Sequence, residues 1–299
     1  MKREIHGWLL LDKPVGLGST QALGKARWAL KAKKAGHAGT LDPLASGLLA
    51  LAFGEATKTI PFAMGGLKTY RFAARWGFET ETDDSEGEPR LISEARPSPE
   101  AIRAVLPGFH GEIQQKPPAY SAIKIDGERA YDLARAGEAP EMAARPIWIE
   151  SLTYLEAESA PDLGRFEMTC GKGGYVRSMA RDLGRALGCG AYVTELRRLR
   201  AGPFALDQAI SLESLEALRD NPHALTRLLP VSTGLDDIPV LAVTEAEAAH
   251  IRQGRAVPAA GVLSLHDGDK LWASLAGEPV AIGHMEEGRF QPDRVFNLA

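Results

Sequence analysis

A glycine-rich segment near the N-terminus carries the residues with the clearest chemical potential. Residues 36–47 contain one imidazole, His37, and one carboxylate, Asp42, which precedes Pro43. Glycines allow a backbone to approach a ligand closely. A carboxylate on a loop stiffened by proline can act as a nucleophile. The segment therefore predicts a catalytic aspartate, with Asp42 as the candidate.

The same residues also have an ordinary structural interpretation. Asp-Pro is a frequent helix start, with Asp42 as the N-cap and Pro43 at the first helical position. A single histidine such as His37 is more often a hydrogen-bonded loop residue than a catalyst. The choice between the two interpretations depends on what the rest of the chain adds.

Neither a metal nor a nucleotide cofactor is expected. A phosphate-binding P-loop needs Ser or Thr after Gly-Lys, whereas Gly173 follows Gly171-Lys172. No H-E-x-x-H motif occurs, and the two cysteines, Cys170 and Cys189, are too few for a cysteine-based zinc site.

The composition indicates an ordinary globular chain. It has 299 residues, 44% of them hydrophobic, which suits one large domain or two smaller ones. Two cysteines do not make a disulfide framework, so a reduced, cytoplasmic setting is expected. The N-terminus lacks the apolar core of a signal peptide, and no apolar run approaches the length of a membrane span.

Charge is unevenly distributed although the formal net charge is only −4. Residues 13–41 contain six basic residues and no acid, and residues 165–200 contain eight basic residues and three acids. Six acids fall within residues 79–88, in a stretch expected to be a polar loop. The basic segments predict local binding of a polyanion, or else they are simply solvated faces.

The elements that would position these residues alternate between strands and helices. We expect strands at 8–11, 48–53, 147–157 and 165–170, a helix from Ser19 or Thr20 to about Lys34, and another over 175–187. Residues 68–76 alternate as a half-buried strand, with Tyr70 on its apolar face. Arg177, Arg181 and Arg185 recur every fourth residue and would form one basic stripe. Without a regular βαβ repeat, the pattern favours an α+β fold with a mixed sheet.

The composition changes near residues 235–239. Beyond them we expect one helix, capped by Thr244 and ended by Gly254, followed by short strands separated by turns. The predicted domains are therefore 1–236 and a small β-rich unit at 237–299.

The box from Gly36 to Pro43 and five other stretches, of which the first is Leu11-Asp12-Lys13-Pro14, resemble the bacterial tRNA pseudouridine synthase B family. The box resembles the catalytic motif of that family. The other stretches are Gly54–Lys58; Lys68-Thr69-Tyr70; Pro117–Lys124 with Gly127 and Tyr131; and Gly174–Ser178 with 182–184 and 196–200. The resemblance covers about residues 7–235 and is weaker beyond.

The resemblance implies isomerisation of one uridine to pseudouridine in the T-arm of tRNA, at tRNA position 55, without metal or organic cofactor. It implies a mixed, largely antiparallel sheet flanked by helices, and a C-terminal domain similar to the PUA RNA-binding domain. We expect a monomer that binds a tRNA stem-loop and no membrane.

The resemblance also assigns roles to individual residues. Asp42 matches the nucleophile, and Arg177 matches the arginine that orients it. Tyr70 would stack on the base and is a candidate for removing the C5 proton. The target base must be flipped out of its stack. The remaining matches are His37, which would fill the vacated space, Tyr175 and Leu196, which would line the base pocket, and Lys13, which would support the site electrostatically.

Two other functions stay open from the sequence. One is a tRNA-binding or RNA-folding module in which catalysis is incidental. An intact set of Asp42, Tyr70 and Arg177 disfavours it, because a carboxylate facing phosphates weakens binding unless it does chemistry. The other is a guide-RNA-dependent relative acting on ribosomal RNA. Two features disfavour that alternative: the bacterial-type residues Leu44–Gly47 that follow the aspartate box, and the compact C-terminal unit.

Overall fold

The computed structural model describes residues 2–121, 123–125, 128–130, 142–219, 221–259, 261–262 and 264–298. Three of the motif positions quoted above, Ala122, Gly127 and Tyr131, lie outside the described residues. The helices are α1 Ser19–Ala29, α2 Ile60–Ala63, α3 Pro99–Val105, α4 Val176–Ala186, α5 Leu212–Ala217 and α6 Glu245–Arg252. The strands are β1 Gly7–Lys13, β2 Ala35–His37, β3 Ala45–Phe53, β4 Lys68–Trp76, β5 Phe78–Glu79, β6 Arg90–Leu91, β7 Gly111–Gln115, β8 Lys124–Ile125, β9 Glu128–Arg129, β10 Arg145–Tyr154, β11 Leu163–Cys170, β12 Ala191–Ala201, β13 Phe204–Ala205, β14 Ile210–Ser211, β15 Val240–Ala242, β16 Val257–Pro258, β17 Lys270–Leu275, β18 Glu278–Glu286 and β19 Arg289–Val295.

A mixed sheet forms the body of the protein. Its strands follow the order β14-β1-β3-β12-β4-β11-β10-β7, with β2 added to β3 and β13 added to β12. The pairs β1–β14 and β3–β12 are parallel and the other pairs are antiparallel. The predicted α+β class with a mixed, largely antiparallel sheet is therefore confirmed.

Strand β4 is more deeply buried than its alternating pattern predicted. Phe72, Ala73 and Ala74 are all buried because β4 lies between β12 and β11. Ala73 is opposite Arg165 on one neighbour and Glu195 on the other, and these two side chains form an ion pair. The small alanine lies beneath this pair, so the outer face is covered as well.

Helix α1 ends earlier than predicted. It stops at Ala29, where the sequence pattern suggested about Lys34. Lys31 adopts a positive φ of 54°, which breaks the helix, and Ala35–His37 then pair with β3. The early end places His37 on a strand beside the sheet instead of on a loop following a helix.

A second sheet of five strands, ordered β15-β17-β18-β19-β16, lies in the C-terminal part, where a β-rich unit was expected. Helix α6 has the predicted Thr244 cap, whose hydroxyl accepts from Glu247 N. One apolar cluster joins the two sheets, since it contains Trp8 and Phe204 together with Ile282 and Phe296.

Polar contacts reinforce this junction. Lys58 Nζ donates to Val295 O at 2.8 Å, and Glu55 Oε2 accepts from Asn297 N at 2.7 Å. Lys58 and Glu55 also pair with each other at 2.5 Å. Within the part of the chain that the structure describes, no helix is long and apolar enough to cross a membrane.

Candidate active site

The loop between β2 and β3 holds Asp42 from both sides. Ser19 Oγ at the start of α1 accepts from Leu41 N at 2.7 Å and donates to Leu41 O at 2.9 Å. Gly16 N donates to Pro43 O at 2.8 Å. These bonds fix the backbone on either side of Asp42. The side chain of Asp42 is 36% exposed to solvent.

Asp42 is not a helix cap. Ala45 N donates to Asp42 O at 3.0 Å, so a tight turn follows, and it leads directly into β3. Gly47 in that strand has φ 97°, and a Cβ there would lie 2.3 Å from Arg198 O. Only glycine lets β3 start this close to β12.

Arg177 lies in the first turn of α4 and reaches the aspartate. Its Nη2 is 2.9 Å from Asp42 Oδ2, and its own side chain is only 6% exposed. The same guanidinium donates to Thr82 O at 3.1 Å and to Tyr120 O at 3.0 Å. The partners fix the orientation of the planar fork, so its charge is directed at one carboxylate oxygen.

A second carboxylate, which the sequence analysis missed, faces the same arginine. Asp84 Oδ2 lies 3.5 Å from Arg177 Nη1, and its side chain is 2% exposed. Thr82 Oγ1 donates to Asp84 Oδ1 at 2.6 Å, and Glu86 N donates to it at 3.0 Å.

The segment around Asp84 is a polar loop, as predicted, but Asp83 and Asp84 in it are buried. It packs against the basic stripe of α4, with Asp83 Oδ2 2.7 Å from Arg181 and Glu79 Oε1 2.9 Å from Arg185. Burial raises the pKa of Asp83 to about 6, although Arg181 opposes this shift. The acids neutralise the stripe inside the protein, so Arg177 and Arg181 are not available to phosphates.

Tyr70 lies on β4 directly opposite Arg198 of β12 and Met168 of β11. The ring is half-buried. Burial raises the pKa of its phenol, the charge and a hydrogen bond of Arg198 oppose that shift, and the charge of Asp42 adds to it. Tyr70 and Asp42 therefore lie within electrostatic reach of each other.

Lys13 is fully buried at the end of β1. Its Nζ donates to Pro14 O at 2.8 Å and to Leu17 O at 2.6 Å. Burial lowers its pKa to about 8, while the charge of Asp42 acts in the opposite direction. The lysine thus lies close enough to support Asp42 by charge.

Tyr175 and His37, the next two candidates, form no hydrogen bond with Asp42 among the described residues. Tyr175 precedes α4, and the amide of Gln115 both accepts from its N–H at 2.8 Å and donates to its carbonyl at 3.1 Å. Burial raises the pKa of the Tyr175 phenol, and Asp42 contributes to the rise. His37 Nδ1 is buried without a hydrogen-bond partner among the described residues. Burial, followed by the charge of Arg198, lowers its pKa, so the ring is neutral at neutral pH.

Leu196 is buried on β12 and pairs with Phe72 across the sheet. It also lines a cavity of about 390 Å³ together with Leu44 and Ser46, which follow the aspartate loop. Asp42 and Tyr70 do not line this cavity, so Leu196 is the least firmly placed of the candidates. Among the described residues, no three His, Cys, Asp or Glu side chains are grouped so that they could hold a metal ion.

Two models of known protein families together match residues 27–236 of the chain. Residues 27–176 match the N-terminal domain of TruB family pseudouridylate synthases, and residues 177–236 match the tRNA pseudouridylate synthase B C-terminal domain. The chain is therefore a pseudouridylate synthase, an enzyme of the isomerase class.

Similar proteins narrow the class. The chain is 52% identical to the tRNA pseudouridine synthase B of Cereibacter sphaeroides over 99% of its own length and 98% of that protein. It is also 52% identical to the tRNA pseudouridine synthase B of Dinoroseobacter shibae, and that match covers 98% of this chain and 96% of the relative. The chain belongs to the tRNA pseudouridine synthase B (TruB) family. A chain in the crystal structure of a Cbf5-Nop10-Gar1 complex is 25% identical, with a TM-score of 0.75, and the match covers 97% of this chain and 84% of that one.

Proposed function

We propose that this enzyme isomerises a uridine to pseudouridine in the T-arm of tRNA, at tRNA position 55, with Asp42 as the nucleophile. The observation that carries the proposal is the ion pair between Asp42 and Arg177 at 2.9 Å. Relatives that are about half identical over the full length of the chain are tRNA pseudouridine synthases, which supports tRNA as the substrate.

The arrangement suits a covalent mechanism. The exposed part of Asp42 faces solvent, while Arg177 stabilises its negative charge and holds one oxygen in place. The other carboxylate oxygen of Asp42, which is not paired with Arg177, would attack either C6 of the base or C1′ of the sugar.

Each route gives the same balance of bonds. The C1′–N1 bond breaks, the base rotates, and a C1′–C5 bond forms. The proton on C5 then leaves to a base and N1 gains a proton, while the bond to Asp42 is released. No atom is gained or lost, so no co-reactant is needed.

Tyr70 is the candidate for the proton on C5. Its ring would stack on the base, and its phenol oxygen lies within electrostatic reach of Asp42. We propose that His37 fills the space of the flipped nucleotide, because a neutral, partly buried ring replaces a base at little electrostatic cost. In this proposal, Tyr175 and Leu196 line the base pocket, and Lys13 supports the charge of Asp42.

Phosphate contacts must come from basic residues other than the buried Arg177 and Arg181. Arg27, Lys34, Lys172 and Arg200 are exposed and form no ion pair with a described acid. Lys172 lies three residues before Tyr175, which places it beside the site in sequence. We propose that these four residues supply much of the salt-dependent part of RNA binding.

The C-terminal unit, predicted as residues 237–299 and PUA-like, would add stem contacts. It contains five basic and nine acidic residues, so any phosphate contact there must be local. Arg255 and Arg289 form the best local patch, since both are exposed and Arg289 donates to Ala256 O at 2.7 Å. Replacing these two arginines tests the role better than deleting the unit, because deletion would uncover the cluster that contains Phe296.

The test is incubation of the purified protein with a tRNA transcript, followed by mapping of pseudouridine at single-nucleotide resolution. We expect modification at position 55 and none in a transcript with cytidine there. Asp42→Asn should abolish turnover and leave binding within a few-fold of wild type. Asp207→Asn, which changes an exposed carboxylate outside the site, is the matched control and should keep full turnover.

The outcomes separate the alternatives. Modification of a free T-arm stem-loop without any guide RNA would exclude the guide-dependent alternative. Tight tRNA binding without any modification would favour the RNA-folding module. Turnover by Asp42→Asn at the wild-type rate would contradict the nucleophile assignment.

A further inference from the structure

We propose that Arg198 is a positioning residue that holds the Asp42 loop and the phenol of Tyr70 in their working geometry. This inference rests on the proposed function, since it assumes that these two residues carry the chemistry. Arg198 was only part of a matched stretch in the sequence, and the family comparisons assign it no role.

The burial of Arg198 is the first observation. It lies on the central strand β12, and only 1% of the residue is exposed. A buried guanidinium is costly unless its charge and its donors are satisfied. Within the described residues Arg198 has no ion pair with a carboxylate, so the positive charge is retained for some purpose other than a salt bridge.

Its hydrogen bonds show where the donors are used. Nε donates to Leu48 O at 2.8 Å, Nη2 donates to Gly39 O at 3.2 Å, and Nη1 donates to Thr40 O at 3.4 Å. Gly39 and Thr40 lie two and three residues before Asp42, and Leu48 is in the strand that follows the loop. One rigid fork therefore ties both ends of the aspartate loop to β12. A lysine at this position has one nitrogen and cannot span the same carbonyls.

The same side chain faces Tyr70. The two residues are paired directly across β4 and β12. Burial raises the pKa of the Tyr70 phenol, and the nearby positive charge of Arg198 is the largest effect that opposes this rise. The cross-strand pairing and this charge place the guanidinium beside Tyr70, so Arg198 would help to hold the phenol in position.

Arg198 also affects two further site residues. Its positive charge lowers the pKa of Lys13 and that of His37, in both cases after the larger effect of burial. A single buried charge thus acts on Tyr70, Lys13 and His37 while its donors hold the loop of Asp42. No other described basic residue contacts the loop carbonyls and Tyr70 together.

The test compares Arg198→Lys with Arg197→Lys, its neighbour on the same strand. Arg197 pairs with Asp12 at 2.7 Å and is 41% exposed, so it is a matched control. For each variant we would measure the dissociation constant for tRNA, the single-turnover rate at saturating tRNA from pH 6 to 10, and the folded fraction by circular dichroism.

For Arg198→Lys we expect a single-turnover rate about 100-fold lower, with the dissociation constant changed less than threefold. The rising limb of the pH profile should move to higher pH, since displacing the guanidinium weakens the positive charge that opposes the raised pKa of Tyr70. In a Tyr70→Phe background the shift of the limb should disappear. Arg197→Lys should keep the wild-type rate and profile.

A second variant keeps the test decisive if Arg198→Lys does not fold. A Cβ on Gly39 would lie 3.4 Å from Arg198 Nη1 at a φ of 92°. Gly39→Ala should therefore disturb the held carbonyl, lowering the single-turnover rate with little change in binding. A wild-type rate and pH profile in a folded Arg198→Lys protein, or full activity of Gly39→Ala where Arg198→Lys does not fold, would overturn the inference. Failure of the wild-type protein to modify tRNA would instead refute the proposed function.

Discussion

Asp84 Oδ2 lies 3.5 Å from Arg177 Nη1, while the other terminal nitrogen of the same guanidinium lies 2.9 Å from Asp42. One arginine therefore bridges an exposed carboxylate and a buried one. The buried partner, 2% exposed, fixes the direction of the guanidinium without being accessible to substrate.

Replacing Asp84 by asparagine should slow the chemistry without weakening RNA binding. The amide keeps the shape but loses the charge that attracts Arg177, and a small misplacement of a catalytic group can cost about 100-fold in rate. Single-turnover rates and dissociation constants for tRNA would measure the two effects separately. Asp182→Asn, which changes an acid bonded to Arg181 Nε, is the control and should keep at least half of the rate. Equal losses in both variants would mean that Asp84 only stabilises the fold.

Tyr70→Phe should separate stacking from proton transfer. The phenyl ring still stacks, so we expect tRNA binding to stay within a few-fold of wild type. If the phenol removes the proton on C5, turnover should fall by about 100-fold or more. An adduct between protein and RNA should then accumulate, visible as a slower band on a denaturing gel. Unchanged turnover would leave Tyr70 as a stacking platform and require another base.

Lys13 should make stability depend on pH in the alkaline range. Burial lowers its pKa from 10.5 to about 8 in the folded protein. Between these two values the unfolded chain binds the proton of Lys13 more tightly, so Lys13 should contribute a free energy of unfolding that rises with pH, by at most about 3 kcal/mol. Urea unfolding of wild type and Lys13→Met from pH 7 to 10.5 would measure this. The variant should lack the rise, and identical slopes in the two proteins would contradict the assignment.

RNA binding should depend on the exposed basic residues that have no acidic partner. The double variant Lys172→Gln and Arg200→Gln should weaken tRNA binding and reduce the slope of log K against log salt by about 0.9 for each lost phosphate contact. Lys25→Gln is the control, because Lys25 is paired with Glu216 at 3.0 Å. Similar slopes for the double variant and for wild type would show that other residues contact the phosphates.

Lys58→Met should weaken the junction between the two sheets. The lysine bonds Val295 O and Glu55, so its loss should cost about 1–3 kcal/mol of unfolding free energy. Thermal unfolding would show the change, and Lys33→Met, which removes an exposed pair with Glu4, should have little effect. A Lys58→Met protein as stable as wild type would mean that the Lys58 contacts add nothing to the junction.

Those site residues that lie in a recognisable local motif could be predicted from the sequence. The loop with Asp42, the strand with Tyr70 and the helix with Arg177 all have local signals, and the structure brings Asp42 and Arg177 into contact. The ion pair itself could not be derived from spacing, since 135 positions separate the two residues. The pairing of Arg177 with Asp42 was predicted only from the resemblance to the motifs of a known family.

Partners from distant segments were missed for the same reason. Asp84 sits in an acidic run that is typical of solvated loops, and only the facing helix α4 makes it a buried partner of Arg177. The arginines spaced by four residues and the acids of 79–88 are complementary in charge, and that signal could have paired them. Arg198 was missed because an arginine on an amphipathic strand is usually exposed. Its burial is explained by its bonds to two loop carbonyls, of Gly39 and Thr40, and to the carbonyl of Leu48 in β3.

Phe296 shares an apolar cluster with Trp8 of the first strand, and this has a consequence for synthesis on the ribosome. At about 5–20 residues per second, roughly 290 residues separate the emergence of the two side chains, an interval on the order of 15–60 s. The apolar cluster beside the catalytic sheet therefore lacks Phe296 until that residue has left the exit tunnel. Nascent chains of this enzyme should be clients of ribosome-associated chaperones that shield apolar strands, and a stop codon just before Phe296 should reduce the yield of folded protein more than its length suggests.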